Sequence, residues 1–480
     1  MHCLNSPISI IAVTLPFVLW GLLLLLPTFD DWVYYSTMYG GDLVADGYLL
    51  PIDNYWRPFD SALGALLGRF PQLFPPLNHV IVLAAHVASS VVLLRLCKLF
   101  GLSRMAQFIT VTYFYFSPAM LGTVLGIDSP NQACSLLCGL LALLAYTDDT
   151  RLPRPAQRIA AWAALTLVAT LFKENGLTWA LIPPVLSYGF GRCNSRRLVR
   201  ALAVGVALCC LYLALRLVLT PENATIKDEY VQMGIARLTR NIAVFLAFTW
   251  LPADYVSIIP AQCRNLFVAA ATILASLPLL FILAKAAKST LSSRSGLALA
   301  ACIIIAAAPH LITIFTTMHS YAALPLAAML TGLAADKAVS DGKTGRRMLA
   351  WAFGAFMAAA VFTDVHHWLA SYLSGLTGRN MAEDIVRQTG KNRPKRVFLI
   401  ITESKYRKYS SFCVIPAEAF GWGKSVMHLT GFDWPQEITD VTIPQSEAAN
   451  IPAMTRRAIA EGYDAVWLAG DNGAKVVATK

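Results

Sequence analysis

The chain has 480 residues, of which 56% are hydrophobic and 14% are charged, and its formal net charge is +11. A soluble domain usually carries about a quarter charged residues, so this composition excludes an ordinary soluble protein. The positive charge does not indicate nucleic-acid binding, because the basic residues lie mainly between apolar runs, where the positive-inside rule places them. Most of the ten cysteines lie inside apolar runs, which is typical of small core residues and not of a disulfide framework or a metal site.

Long apolar runs recur along the chain, each near the roughly 20 residues that are needed to cross a bilayer core. The clearest are residues 8–26, 80–94, 198–219 and 297–317. The first run has no Lys or Arg before it and leads into Pro27 and Thr28 without a small-residue cleavage site. We therefore expect a retained helix there and not a secretory signal peptide.

Short basic loops predict the topology. When all of them are assigned to the cytoplasm, about eleven membrane crossings follow. The predicted outer segments are residues 28–77, 124–131, 172–177, 220–264, 318–321 and the tail after about residue 367. The first outer loop is long, and we expect it to form interfacial helices that frame a cleft.

One apolar segment, residues 241–259, does not fit this alternation. It contains Pro252 and Asp254 and ends before Pro260. A crossing there would also place the basic loop at residues 285–294 outside. We predict a re-entrant or interfacial helix, whose backbone other helices or a cavity must cover.

The tail changes character at about residue 378. Lys395–Thr402 and Tyr463–Ala469 are predicted to be buried strands, and Ile451–Glu461 is predicted to be a helix. We therefore predict two domains: an all-α polytopic membrane domain at residues 1–377, and a small soluble α/β domain at residues 378–480.

Polar clusters at the ends of the apolar runs carry the chemical signal. Ionisable groups at membrane depth are costly, so each is a functional hypothesis by default. The clusters, all in predicted outer segments or at their edges, are Asp30-Asp31 with Trp32, Tyr34 and Tyr35; Asn54-Tyr55-Trp56-Arg57-Pro58-Phe59; Asn78-His79 with His86; Phe172-Lys173-Glu174-Asn175-Gly176; and Met318-His319-Ser320-Tyr321 with Leu324-Pro325. Each alone has a simpler explanation, such as solvated acids, an aromatic belt, a core histidine or an ordinary ion pair. Together they predict an active site that faces outward.

The order of these motifs resembles the GT-C membrane glycosyltransferases over roughly residues 8–365. The branch most similar in motif order contains the transmembrane O-mannosyltransferases with tetratricopeptide repeats and their bacterial relatives. Two places depart from the family pattern. Ser320 stands before Tyr321 where the family usually has an arginine, so that His319 replaces it or the donor contact differs. The loop at residues 126–132 lacks the arginine that is often found there.

The resemblance implies transfer of a sugar from a polyprenyl-phosphate donor in one inverting displacement. Such a reaction needs a carboxylate that takes the proton of the acceptor hydroxyl, and the resemblance points to Asp30 or Asp31 without choosing between them. It also needs cations or hydrogen-bond donors for the leaving phosphate. The candidates are Lys173, which is the first choice, then Arg57 and His319.

Further residues complete the site that the resemblance implies. Glu174 is expected to orient the neighbouring lysine, and His79 to hydrogen-bond the phosphate or the base. Tyr35, Trp56 and Tyr321 are candidates for substrate binding. No motif encodes the sugar or the acceptor, and no repeat carries the family resemblance into the tail.

The expected partners are the polyprenyl-phosphate sugar, the lipid bilayer and a glycan, lipid or protein acceptor, without nucleic acid. No cofactor and no metal is expected. We expect a multi-pass protein of a bacterial inner membrane whose site faces the periplasm. Alternatives are a transporter or flippase for lipid-linked sugars, a polysaccharide polymerase or ligase, and a structural scaffold. A transporter would place ionisable groups near the midplane of repeated halves, and a scaffold would not explain acids and bases on one side.

Overall fold

The structure is a computed structural model of the chain. It describes residues 6–28, 31–32, 56–70, 73–219, 234–252, 266–313, 315, 317–339, 343–391, 393–404, 416–431 and 434–480. Several predicted site residues lie outside these ranges, namely Asp30, Tyr34, Tyr35, Asn54 and Tyr55. Most of the first outer loop is also outside them.

The described part of the membrane domain is helical. Its first helices are α1 (Pro7–Leu23), α2 (Pro58–Gly68), α3 (Phe74–Leu99), α4 (Arg104–Phe116), α5 (Leu121–Val124), α6 (Pro130–Thr147), α7 (Pro155–Phe172) and α8 (Ile182–Gly189). They are followed by α9 (Ser195–Leu219), α10 (Ile235–Trp250), α11 (Leu266–Leu291), α12 (Arg294–Leu311), α13 (Thr317–Ser320), α14 (Leu324–Ala338) and α15 (Lys343–Thr389). A 3-10 segment, Glu174–Ala180, joins α7 to α8. Proline at the first position starts several of these helices, where its missing N–H has no intrahelical partner to lose.

Within the described ranges, 6 helices are long and apolar enough to cross a membrane: α3, α7, α9, α11, α12 and α15. The apolar α1 has 17 residues and α6 has 18, and a 3-10 turn separates α4 from α5. A multi-pass all-α membrane architecture is thus confirmed, and the number of about eleven crossings stays a prediction.

The segment predicted to be re-entrant begins inside α10, which ends at Trp250, and residues 253–265 lie outside the described ranges. The Asn241 side-chain amide donates to the carbonyls of Leu311, at 2.7 Å, and Thr313, at 2.9 Å. These bonds attach α10 to the end of α12. Whether the segment crosses the bilayer stays a prediction.

The core of the membrane domain is formed mainly by α3, α4, α6 and α14. Fully buried side chains from these helices include Leu93, Phe114, Leu140 and Leu326. A Cβ atom at Gly332 of α14 would stand 2.3 Å from the Thr110 hydroxyl of α4. The glycine therefore allows the two helices to approach closely, as small residues do in membrane helix packing.

The tail folds into a four-stranded sheet with β1 (Arg396–Thr402), β2 (Glu437–Ile443), β3 (Ala465–Gly470) and β4 (Gly473–Thr479) in the order β2-β1-β3-β4. β1 is parallel to β2 and β3, with Val397 opposite Ile438 and Ala465, and β4 is antiparallel to β3. Short helices α16 (Pro416–Ala419), α17 (Lys424–Leu429) and α18 (Ile451–Ala460) connect the strands. The predicted strand–helix–strand pattern is confirmed as β1, α18 and β3.

Helix α15 has 47 residues and continues from the membrane domain into the tail. Its last part packs on one face of the sheet, where Met381 and Ile385 join the buried Leu399. Gly378 lies against α16, where an added Cβ would stand 2.2 Å from the Ala419 carbonyl oxygen. The predicted domain boundary at residue 378 therefore falls inside a continuous helix.

Candidate active site

Asn131, in the first turn of α6, connects three elements at one end of the membrane domain. Its amide nitrogen donates to the Asp60 carboxylate of α2, at 3.0 Å, and to the Asp128 carbonyl, at 3.0 Å. Its amide oxygen accepts from the Lys173 ammonium, at 3.4 Å, where α7 ends. One side chain therefore holds an acid and a base from distant parts of the sequence beside each other.

Arg57 and Glu174 form a two-pronged ion pair between the start of α2 and the start of the 3-10 segment. The Arg57 Nε and Nη2 atoms donate to both carboxylate oxygens of Glu174, at 2.9–3.1 Å. Bidentate geometry of this kind gives strong, directional pairs. The structure thus pairs Glu174 with Arg57, whereas the sequence suggested that Glu174 orients Lys173.

The Lys173 ammonium is buried among charges of both signs. Burial lowers its pKa to about 8, and Arg57 acts in the same direction, while Glu174, Asp128 and Asp60 oppose the change. A lysine whose pKa lies this near physiological pH is uncommon.

Asp60 is the buried acid of this cluster. Burial raises its pKa to about 6, against the opposing effects of Arg57, Asn131 and Lys173. Its carboxyl group lies three residues after Arg57 on the first turn of α2, so a helix turn brings both residues to the same site.

Among the described residues, the Asp31 carboxylate accepts hydrogen bonds from backbone N–H groups. Its two carboxylate oxygens accept from the N–H groups of Thr28, at 3.0 Å, Ile127, at 2.8 Å, and Asp128, at 3.1 Å. Burial raises the pKa of Asp31 and the nearby Asp128 adds to this, while the three N–H donors favour the anion. The carboxylate joins the chain after α1 to the loop before α6.

Two buried histidines near this cluster stack on each other. His310, near the end of α12, and His319, in α13, have ring centroids 4.5 Å apart. The Asn175 amide lies 3.3 Å from His310 Nε2 and so connects the pair to the 3-10 segment. Burial, His310 and the cations at positions 173 and 57 lower the pKa of His319 far below its usual range, so this imidazole is neutral at pH 7.

The two histidines of α3 have different surroundings. His86 Nδ1 lies 2.9 Å from the Tyr321 hydroxyl, and its Nε2 lies 3.3 Å from the Tyr115 carbonyl oxygen. The structure therefore places Tyr321, which is fully buried, in the helical core beside His86. His79 is also buried, but neither of its ring nitrogens has a hydrogen-bond partner among the described residues.

Two tryptophans attach the outer loop to other elements. The Trp56 ring stacks on Tyr212 of α9, with centroids 5.6 Å apart. The Trp32 indole N–H donates to the Ala419 carbonyl at 3.0 Å, and its ring lies 5.5 Å from His428. Trp32, the residue that follows Asp31, thus contacts the small C-terminal domain.

The structure brings together four of the predicted residues around Asn131, namely Arg57, Lys173, Glu174 and His319. Sequence reasoning missed Asp60, Asn131 and His310. For His310 a signal existed, because it is an ionisable residue inside an apolar run. Asp60 gave a weaker signal, as an acid one helical turn after Arg57.

Within the described ranges, no group of three or more His, Cys, Asp or Glu side chains is arranged to hold a metal ion. The absence of a metal requirement stays a prediction. The expectation that no cofactor is needed likewise stays a prediction.

The fold was compared with known proteins. The structure is similar to apo ArnT from Cupriavidus metallidurans, with a TM-score of 0.54 and 12% identity over 96% of this chain and 92% of that one. ArnT bound to undecaprenyl phosphate aligns over the same shares with a TM-score of 0.48. The oligosaccharyltransferase AglB from Archaeoglobus fulgidus, in complex with an inhibitory peptide and a dolichol-phosphate, gives 0.44 at 13% identity over 95% of this chain and 69% of that one.

No protein-family model matches the chain, and no curated protein matches its sequence. ArnT is a GT-C glycosyltransferase, and the alignment with its apo form extends over nearly the whole of both chains. The predicted GT-C architecture is therefore confirmed at the level of the fold. This chain is a multi-pass membrane protein with the GT-C fold and a small C-terminal α/β domain.

Proposed function

We propose that the protein is a membrane glycosyltransferase. It transfers a sugar from a polyprenyl-phosphate donor to a glycan, lipid or protein acceptor, by a single inverting displacement, at the periplasmic face of a bacterial inner membrane. The GT-C fold and the gathering of acids, bases and amides at one end of the helices support this proposal.

The observation that carries the proposal is the state of the Lys173 ammonium. An ammonium has three donors, and charge-assisted N–H···O bonds are usually about 2.7–2.9 Å long. Among the described residues, Lys173 donates to the Asn131 amide oxygen at 3.4 Å, which is longer than that usual length. Arg57 is already neutralised by Glu174. Among the described cations of this cluster, Lys173 therefore has donors left for a phosphate oxygen, at the membrane boundary where a polyprenyl phosphate would lie.

We assign different roles to the two adjacent acids. Both oxygens of Asp31 are occupied by backbone N–H groups, so Asp31 is a positioning residue that holds the loop. The proposed base is then Asp30, which takes the acceptor proton as the hydroxyl oxygen attacks the anomeric carbon and the phosphate leaves.

Neutral hydrogen-bond donors complete the proposed site. A buried polar atom without a partner requires an explanation, and a bound ligand would supply one for His79. His319 is neutral, so it would act on the leaving phosphate as an N–H donor and not as a cation.

The test uses purified protein in liposomes with a panel of labelled polyprenyl-phosphate sugars. Asp30→Asn is expected to lower turnover by about 10²- to 10⁴-fold, because the base that takes the acceptor proton is lost. Asp31→Asn is expected to lower the melting temperature, because an amide cannot accept from all three N–H groups. Lys173→Met is expected to weaken donor use.

Three results would contradict these assignments. Unchanged turnover in both aspartate variants would remove the acid pair from catalysis. Loss of turnover in Asp31→Asn alone, at unchanged melting temperature, would exchange the two roles. Movement of lipid-linked sugar between leaflets without transfer or hydrolysis would favour the transporter alternative.

A further inference from the structure

A cavity lies at the end of the membrane helices away from the Asn131 cluster. It has a volume of about 390 Å³ and lies where α6 ends, α7 begins and α8 turns into α9. Helix α6 carries Asn131 in its first turn and Thr147 at its end, so the cavity is about 24 Å from the candidate active site. A neighbouring hollow of about 510 Å³ shares part of its wall.

The walls of the cavity are basic. Four arginines line it: Arg158 from α7, Arg192 from the turn after α8, and Arg197 and Arg200 from α9. The neighbouring hollow adds Arg294, whose guanidinium stacks on Tyr188 at 3.5 Å.

Few anions offset this charge. The cavity lining contains one acid, Asp149. The nearby Asp148 lies 3.7 Å from Arg151, outside the lining. In the described part of the chain, Arg158, Arg197 and Arg200 take part in no ion pair.

The floor of the cavity combines hydroxyl groups with apolar surface. The Thr147 and Ser187 hydroxyls lie 3.2 Å apart, so both line the cavity beside each other. Beneath them Tyr146 packs edge-on against the fully buried Trp162, and Val204 packs on the same cluster. The Thr147 hydroxyl donates to the Leu143 carbonyl, at 2.6 Å, so the Ser187 hydroxyl donates to Thr147. A cationic rim over a mainly apolar floor matches a phosphate group that is attached to an apolar or small organic body.

The positive-inside rule accounts for arginines on these loops, but it does not explain why four of them line one cavity between helices. Basic pockets between membrane helices on the cytoplasmic side are typical sites for anionic lipid headgroups. Arginine is also the residue best suited to planar, bidentate contact with phosphate.

We propose that this cavity is a binding site for a phosphate group, carried by an anionic membrane lipid in the leaflet opposite the candidate active site or by a small soluble compound. The site is separate from sugar transfer and does not depend on the function proposed above. A bound phosphate would connect α7, α9 and the turn between α8 and α9.

The experiment compares three proteins in detergent: the unmodified chain, Arg158→Gln/Arg197→Gln/Arg200→Gln, and the control Arg95→Gln/Arg346→Gln/Arg347→Gln. The control removes the same charge from exposed arginines that do not line the cavity. Native mass spectrometry and melting temperatures are measured with phosphatidylglycerol, phosphatidylcholine or inorganic phosphate.

The unmodified chain and the control are expected to retain phosphatidylglycerol in preference to phosphatidylcholine, or to be stabilised by inorganic phosphate. Each arginine removed from the cavity is expected to weaken that binding about fivefold. Response to phosphatidylglycerol identifies a lipid as the source of the phosphate, and response to inorganic phosphate alone identifies a soluble compound.

The single variant Arg200→Gln alters an exposed side chain and keeps the test decisive if the triple variant does not fold. Equal loss of binding in the control would show that total charge and not the cavity binds the ligand. That result, or the absence of binding in the unmodified chain, would overturn the proposal.

Discussion

The charged neighbours of Lys173 shift the pKa of its ammonium in opposite directions. Asp60, Asp128 and Glu174 favour the protonated form, whereas burial and Arg57 disfavour it. The balance places the lysine pKa at about 8, and removal of any one neighbour should move this pKa in a predictable direction. The proposed phosphate contact can therefore be tested through proton binding as well as through loss of function.

If the charged form of Lys173 binds the donor phosphate, kcat/KM should fall as the pH rises through about 8, because the ammonium loses its proton there. Asp60→Asn removes an anion that raises the lysine pKa, so the fall should move to lower pH. Arg57→Gln removes a cation that lowers the pKa and also releases Glu174, so the fall should move to higher pH. The measurement is a pH–rate profile between about pH 6 and 10 for each variant.

Lys173→Arg serves as the control for this profile. A guanidinium stays protonated throughout that range, so any remaining activity should no longer fall near pH 8. A fall that persists in this variant would assign the titration to another group.

At the scale of elements, the C-terminal domain is attached directly to the loop that carries the acid pair. Trp32 is almost completely buried, and its N–H donates to a carbonyl of α16. Gly421 adopts φ of +62° beside the Trp32 ring, where a Cβ would stand 2.3 Å from the ring. Glycine is thus required both for that backbone conformation and for the close approach. The domain therefore restrains the residues next to Asp31.

Trp32→Phe should loosen this attachment, because it leaves the Ala419 carbonyl without its donor, at a cost of about 1–3 kcal/mol. We expect faster proteolysis of the C-terminal domain and a severalfold loss of turnover. Trp20→Phe is the matched control, since Trp20 lies on α1 with 69% of its surface exposed. Turnover and proteolysis equal to those of the unmodified chain would show that the domain does not restrain the loop.

Strand β2 illustrates why part of this domain could not be predicted. Its sequence, EITDVTI, is mostly half-buried or exposed, and it lies at the edge of the sheet. The predicted strands β1 and β3 are apolar and buried, and so have a strong local pattern. The position of β2 depends on its pairing with β1, including the Arg396–Glu437 ion pair at 3.0 Å.

At the scale of the whole molecule, the two ends of the helices differ in chemistry. The end at Asn131 gathers acids, amides and histidines, and the end at Arg197 gathers arginines around a cavity. Helix α15 connects the membrane core to the C-terminal domain, whose contact with Trp32 places it at the first of these ends. The positive-inside rule then predicts that the candidate active site faces outward.

This orientation predicts one-sided labelling by a membrane-impermeant maleimide. Ser446→Cys, exposed in the C-terminal domain, should react in intact spheroplasts, because that domain should face the periplasm. Asp149→Cys, at the arginine-rich end, should react only after the membrane is permeabilised. Labelling of neither cysteine before permeabilisation would place the tail inside and would require residues 241–259 to cross the membrane. The reverse pattern would invert the whole topology.

Some properties of this protein depend only on local sequence. The length of an apolar run against the thickness of a bilayer determines that the chain is a membrane protein, and the positions of basic loops determine a preferred orientation. The alternation of crossings then gathers the polar clusters at one face. For these reasons the fold class could be predicted without coordinates, and the side of the membrane that the site faces stays a prediction.

The tertiary structure decided which groups meet within that face. Glu174 pairs with Arg57, 117 positions away, and not with the adjacent Lys173. Asn131 joins Asp60 to Lys173, although no motif singled it out. Such contacts depend on how separate helices pack, because a few ångströms of displacement change every hydrogen-bond partner, and no local pattern in the sequence encodes that displacement.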